Sequence, residues 1–167
     1  MNTRLVVDFE ADPAACSGWQ VINDVVMGGR SAAQVATESA GLVFAGEVSL
    51  ANGGGFASVR SPARDWGLAG SQGLRLRVQG DEQRYQLRLR YSERRGEPAY
   101  VAWFEPKAGA EGQVIDLCWA DFVPRLRGRA VEMPPLSPEQ VRHLGFLIAE
   151  KQAGPFRLVI QQLWVLA

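Results

Sequence analysis

The chain carries one histidine, two cysteines and no excess of either charge, with 18 Lys+Arg against 18 Asp+Glu in 167 residues. Each scarcity excludes something. A lone imidazole, His143, leaves no histidine pair for zinc, and neither HExxH nor a His/Cys cluster is present. Any Ser-His-Asp arrangement would have to use that one residue. Cys16 and Cys118 have no CxxC or metal-ligand spacing, so both are expected as buried, reduced thiols without a metal. Balanced charge creates no global field for nucleic acid or a membrane surface. No run approaches the ~18 apolar residues of a membrane span, and the N-terminus lacks the apolar core of a signal peptide. The expectations are a cytoplasmic protein, with no membrane insertion and no nucleic-acid partner.

Helical patterning is just as scarce. Only LSPEQVRHL qualifies, with Ser137 as N-cap, Pro138 at the first helical position and Gln140 completing a capping box. Gly145 would end it after roughly two turns, and His143 would cap its dipole. Elsewhere the period is two. In GLVFAGEVSL, Leu42, Phe44, Val48 and Leu50 share one parity, and Gly46 on that parity marks a bulge or a close backbone approach. Similar runs occur at 5–9, 55–60, 99–104, 113–118, 144–149 and 156–166. Roughly ten short strands punctuated by Gly, Pro, Asn and Asp predict an all-β fold of two stacked antiparallel sheets. One or two short helical turns at most, in a single domain over residues 1–167, complete the expectation.

Catalytic constellations are weak. Gly53-Gly54-Gly55 and Gly28-Gly29 precede no GK[ST] and match no dinucleotide fingerprint, so no cofactor is expected. Asp81-Glu82 reads as a pair of solvated turn carboxylates. No nucleophile–base pair stands out, and a non-enzyme is the reading.

Two stretches are more informative. LRLRVQGDEQRYQLRLR reads as a hairpin with Val78 opposite Tyr85, Leu76 opposite Leu87 and Leu74 opposite Leu89. That register sets Arg75 against Arg88, with Arg77 and Arg90 beside them. Like charges in such positions are unfavourable. Carboxylates such as Glu47 or Asp116, water around splayed stems, or an acidic partner must compensate. In VINDVVMGGRS, Asn23 and Asp24 organise a turn, Met27 is an apolar plug, and Gly28 and Gly29 permit positive φ. Arg30 and Ser31 are its polar groups, and Asp24 is expected to approach Arg30 across the turn.

Trp19 followed by NDVVMGGRS, then VFAGEVSLANGGGFASVRS, GDEQRYQLRLR and GFLIAEKQAGPFRLVI, resembles the family named for complex I intermediate-associated protein 30 (CIA30). The blocks keep the family's order and span nearly the whole chain. The resemblance implies a galactose-binding-like jelly-roll sandwich. It also implies a non-catalytic assembly factor or chaperone for a complex I-like assembly, with protein partners among the subunits of a membrane-associated complex. The matching blocks add Asn52, Phe56, Arg60, Lys151 and Gln152 to the partner- or ligand-binding set. The family's turn usually reads GDG, whereas Glu82 stands here after Gly80-Asp81, which suggests a wider loop. Because the fold is shared with carbohydrate-binding modules, the alternative is a glycan binder using Trp66, Tyr100 or Trp103.

Overall fold

Period-two alternation builds strands along almost the whole chain. The computed structural model describes residues 2–23, 29, 31–51, 55–94, 96–109 and 111–167, with only the backbone of Asn23. The strands are β1 (Thr3–Asp8), β2 (Gln20–Asn23), β3 (Ala32–Glu38), β4 (Gly41–Val48), β5 (Ala57–Arg60) and β6 (Gly73–Gln79). There follow β7 (Tyr85–Arg90), β8 (Ala99–Phe104), β9 (Gln113–Cys118), β10 (Val123–Leu126), β11 (Arg129–Ala130), β12 (His143–Ile148) and β13 (Gly154–Leu166). One six-stranded sheet has the order β3-β4-β13-β6-β9, with β1 also pairing β13. A seven-stranded sheet runs β11-β10-β8-β7-β12-β5-β2. The named pairs are antiparallel, and the two sheets form a jelly-roll sandwich.

The core forms where the two apolar parities meet. Leu74, Leu76 and Val78 of β6 and Leu158 and Ile160 of β13 enter it from the first sheet. Tyr85, Leu87 and Leu89 of β7 and Leu144, Phe146 and Ile148 of β12 enter from the second. Tyr85 contacts Phe156 edge-on at 6.4 Å between ring centroids, which ties the sheets together. Gly46 is explained by close approach, since a Cβ there would collide with the Ala32 carbonyl oxygen on the neighbouring strand.

The expected hairpin does not form. β6 lies between β13 and β9, whereas β7 lies between β8 and β12 in the other sheet. Residues 80–84 therefore cross from sheet to sheet. Two strands that pair side by side and two that face each other across a core show the same alternation, so the pattern alone does not separate these cases. Asp81 is not a solvated turn acid either. Its carboxylate accepts from the Tyr85 hydroxyl (2.9 Å), the Gln83 amide (3.1 Å) and the Arg157 amide (2.7 Å). Glu82 has φ +66°, in the left-handed region where glycine is most at ease. Glu82→Gly is expected to relieve that strain and raise the unfolding free energy by about 0.5 kcal/mol, after the greater chain entropy of glycine is deducted. A urea titration measures it.

Other expectations also change. The LSPEQVRHL helix shrinks to a 3-10 turn at Pro138–Gln140, and Ser137 makes no side-chain capping bond. His143 begins β12 instead of ending a helix, because from there Leu144, Phe146 and Ile148 alternate into the core. Cys16 is buried in a 3-10 turn, but Cys118 is exposed, on the outward parity of β9; both thiols are free. Leu50 lies beyond β4 and is exposed.

Candidate functional site

The side chains on the far parity of the seven-stranded sheet form its outer face. Register places them in rows across the strands. Gly145 of β12 pairs with Arg60 of β5 on one side and with Arg88 of β7 on the other. The row continues from Arg88 to Val101 of β8 and on to Val123 of β10. Beside it, His143 pairs with Arg90, and Leu147 pairs with Gln86 and Ser58. Three arginines thus gather on one face: Arg60, Arg88 and Arg90.

Their mutual repulsion is only partly relieved. Arg88 has its pKa depressed to about 10, first by burial and then by the charges of Arg90 and Arg60. Burial also lowers Arg60 and Arg90, with partial compensation from Glu93 on both and from Glu97 on Arg90. Among the described residues none of the three forms an ion pair. Arg88 donates through Nη1 to Gln86 Oε1 (2.8 Å). Arg90 donates to the Ser92 carbonyl (3.2 Å) and the Arg94 carbonyl (2.8 Å), which hold it in place.

His143 is buried, and its Nδ1 lies 3.0 Å from the Ser61 carbonyl oxygen. Its Nε2 is 3.9 Å from Glu93, which is largely exposed. The Ser61 hydroxyl is used elsewhere, donating to the Pro62 carbonyl and accepting from the Leu144 amide. The imidazole therefore meets a carbonyl instead of a hydroxyl.

The remaining sequence-derived residues scatter. Arg75 and Arg77 point outward from the six-stranded sheet, on the opposite side of the sandwich from Arg88 and Arg90. Arg75 grips Asp116 with two bonds, at 2.7 and 2.9 Å, and the pair lowers the Asp116 pKa and raises that of Arg75. Ser31 is buried and accepts from the Ser49 amide at 2.9 Å, so it pins a loop; Gly29 is buried beside it. Gln152 is a clamp, accepting from the Arg84 amide (2.6 Å) and donating to the Arg84 and Ala149 carbonyls. Lys151 sits exposed in the same turn, at φ +59°. Phe56 is half-buried just before β5. The side chain of Asn23, together with Asp24, Met27, Gly28, Arg30 and Asn52, lies outside the described residues, and with them the Asp24–Arg30 contact.

Of the aromatics, Trp66 and Tyr100 are core residues. Trp103 alone of the three has outward parity, with the guanidinium carbons of Arg84 and Arg125 at 5.3 and 5.4 Å from its ring centroid. Sequence reasoning overlooked Gly145 as a site residue. Its signal was a glycine inside a strand pattern, on the outward parity between Leu144 and Phe146.

Comparison with known proteins puts this geometry in a family. Residues 7–160 match the family described as Complex I intermediate-associated protein 30 (CIA30). The chain belongs to the CIA30 family. No curated protein matches this CIA30-family chain. Among solved structures it is similar to a family 11 carbohydrate-binding module from Clostridium thermocellum in complex with a β-1,3-1,4-mixed-linked tetrasaccharide. That likeness has a TM-score of 0.63 at 14% identity, over 99% of this chain and 95% of the other. It is also similar to an agarase (TM-score 0.63, 10% identity), covering 100% of this chain and 25% of the agarase. A family 29 carbohydrate-binding module gives a TM-score of 0.51 at 12% identity, over 99% and 91% of the two chains. At these identities the likeness is one of fold. No described helix is long and apolar enough to cross a membrane.

Proposed function

We propose that this CIA30-family chain is a single, non-catalytic protein-binding domain that helps assemble a larger, complex I-like respiratory complex from the cytoplasmic side. Its binding face is the outer face of the seven-stranded sheet. The observation that carries the reading is the gathering of Arg60, Arg88 and Arg90 there with no ion pair among the described residues. Such a face favours an acidic protein surface, because opposite charge steers association and fixes register. The family's name, which refers to complex I intermediates, supports partners among the subunits of a membrane-associated complex. The non-catalytic reading is supported by His143, whose ring meets a carbonyl and not the Ser61 hydroxyl. The test is affinity capture from native lysate with the wild-type chain and with the Arg60→Gln/Arg88→Gln double variant. Respiratory-complex subunits are expected to be retained by the first and lost, by about tenfold or more, with the second. Equal capture by both would remove the face from the binding site.

A glycan-binding module is the second reading, favoured by Trp103, whose indole nitrogen is buried on that same face without a hydrogen-bond partner among the described residues. Against it, sugars stack on open aromatic rings, and Trp66 and Tyr100 are enclosed in the core. Saturable binding on a glycan array that is lost with Trp103→Ala would decide for it.

A further inference from the structure

The centre of the cationic row is a hole. Gly145 lies between Arg60 and Arg88 in register and carries no side chain. A Cβ there would come within 2.9 Å of the Val59 carbonyl oxygen, so close packing of β5 against β12 itself excludes anything larger than glycine. Over this position lies a cavity of about 20 Å³ lined by Arg60, Arg88, Arg90, His143, Gly145 and Ser58. That is room for little more than one water-sized atom.

We infer that this cavity is an oxyanion subsite, gripped from either side by Arg60 and Arg88, that takes one carboxylate of an acidic peptide segment in the protein partner. The inference rests on the proposed protein-binding face and deepens it. Two strand spacings put the arginine backbones about 10 Å apart, and both residues line the space above Gly145. The Arg60 side chain makes no hydrogen bond with any described residue, while the Arg88 side chain uses only its Nη1. Arginine presents five donors in a planar fork that matches a carboxylate. Arg90, tied to two carbonyls, adds positive charge from a fixed position. Among the described residues the nearby acids are otherwise placed: Glu97 accepts from the Ser92 hydroxyl, and Glu93 stands out toward solvent beside His143. The dimensions choose the ligand. One carboxylate oxygen fits where a pyranose ring does not, and phosphate would bring more acceptors than the cavity takes.

The test is an NMR titration of the complete chain with four probes: a capped hexaglutamate peptide, its hexaglutamine counterpart, inorganic phosphate and oligogalacturonate. Hexaglutamate is expected to shift the Gly145 amide and the Arg60 and Arg88 Nε signals in a saturable way. Affinity is expected to fall about tenfold in Arg60→Gln and in Arg88→Gln, to recover partly in Arg60→Lys, and to stay unchanged in Arg75→Gln on the opposite sheet. Equal binding of hexaglutamine, shifts confined to other residues, or tighter binding of phosphate or oligogalacturonate at Gly145 would overturn the assignment. Failure of the subsite and failure of the face separate cleanly. If hexaglutamate leaves Gly145 unmoved while Arg60→Gln and Arg88→Gln still lose the native partner, the subsite falls and the face stands. If capture of the native partner ignores both substitutions, the face falls as well.

Discussion

Arg88→Met is expected to raise the unfolding free energy by about 1–2 kcal/mol while removing most capture of the native partner. The depressed pKa of Arg88, about 10, means that the fold disfavours its charged form. For a base lowered in this way the penalty is present in full at neutral pH and is relieved only as pH rises through that value. Burial is the largest cause and the Arg90 and Arg60 charges come next, so an uncharged chain of similar length removes all of them together. What it forfeits is the single bond to Gln86. Urea denaturation near neutral pH and affinity capture on the same preparation measure the two effects. A variant less stable than wild type by more than about 1 kcal/mol would make Arg88 a structural strut. A variant of unchanged stability and unchanged capture would remove it from the site.

Asp81→Ala is expected to cost about 3 kcal/mol, the largest stability loss of any polar substitution considered. Its carboxylate collects the Tyr85 hydroxyl, the Gln83 amide and the Arg157 amide, one group from β7, one from the crossing turn and one from β13. Removing it strands a hydroxyl on a fully buried ring and loosens one of the segments that carry the chain between sheets. The carboxylate also raises the tyrosine pKa, after burial itself, so the hydroxyl stays a donor. Tyr85→Phe is expected to cost less, because it removes donor and demand together. A double-mutant cycle measures the coupling. If Asp81→Ala and Tyr85→Phe prove strictly additive, the bond contributes nothing and the crossing is held by packing alone.

Glu82 shows what a sequence departure leaves open. Its replacement of the family's glycine suggested a wider loop, yet the residue occupies the left-handed conformation that glycine adopts most easily. The Gln83 amide reaches back past it to the Asp81 carboxylate, and the left-handed backbone at Glu82 costs some strain. Identity at one position reports on the side chain, whereas φ at that position is set by what the neighbouring carboxylate must reach.

Alternation in the sequence determined the all-β class and most of the core, because a strand's period of two assigns each side chain to one face whatever lies beside it. Ala99–Phe104 and Gln113–Cys118 were legible to the residue, and Tyr85, Leu87 and Leu89 were legible as core. The edge strands β3 and β11, and β10 next to the latter, were not, since residues such as Gln34, Arg125 and Arg129 near a sheet margin need no strict apolar rhythm. Nor was the grouping of the arginines. A face is a local property, but neighbours are set by pairings between residues distant in the chain. Only those pairings sent Arg75 to Asp116 on one side of the sandwich and brought Arg60 to Arg88 and Arg90 on the other. The gap above Gly145 exists for the same reason: glycine allowed the close approach, and tertiary packing put an arginine on each side of it.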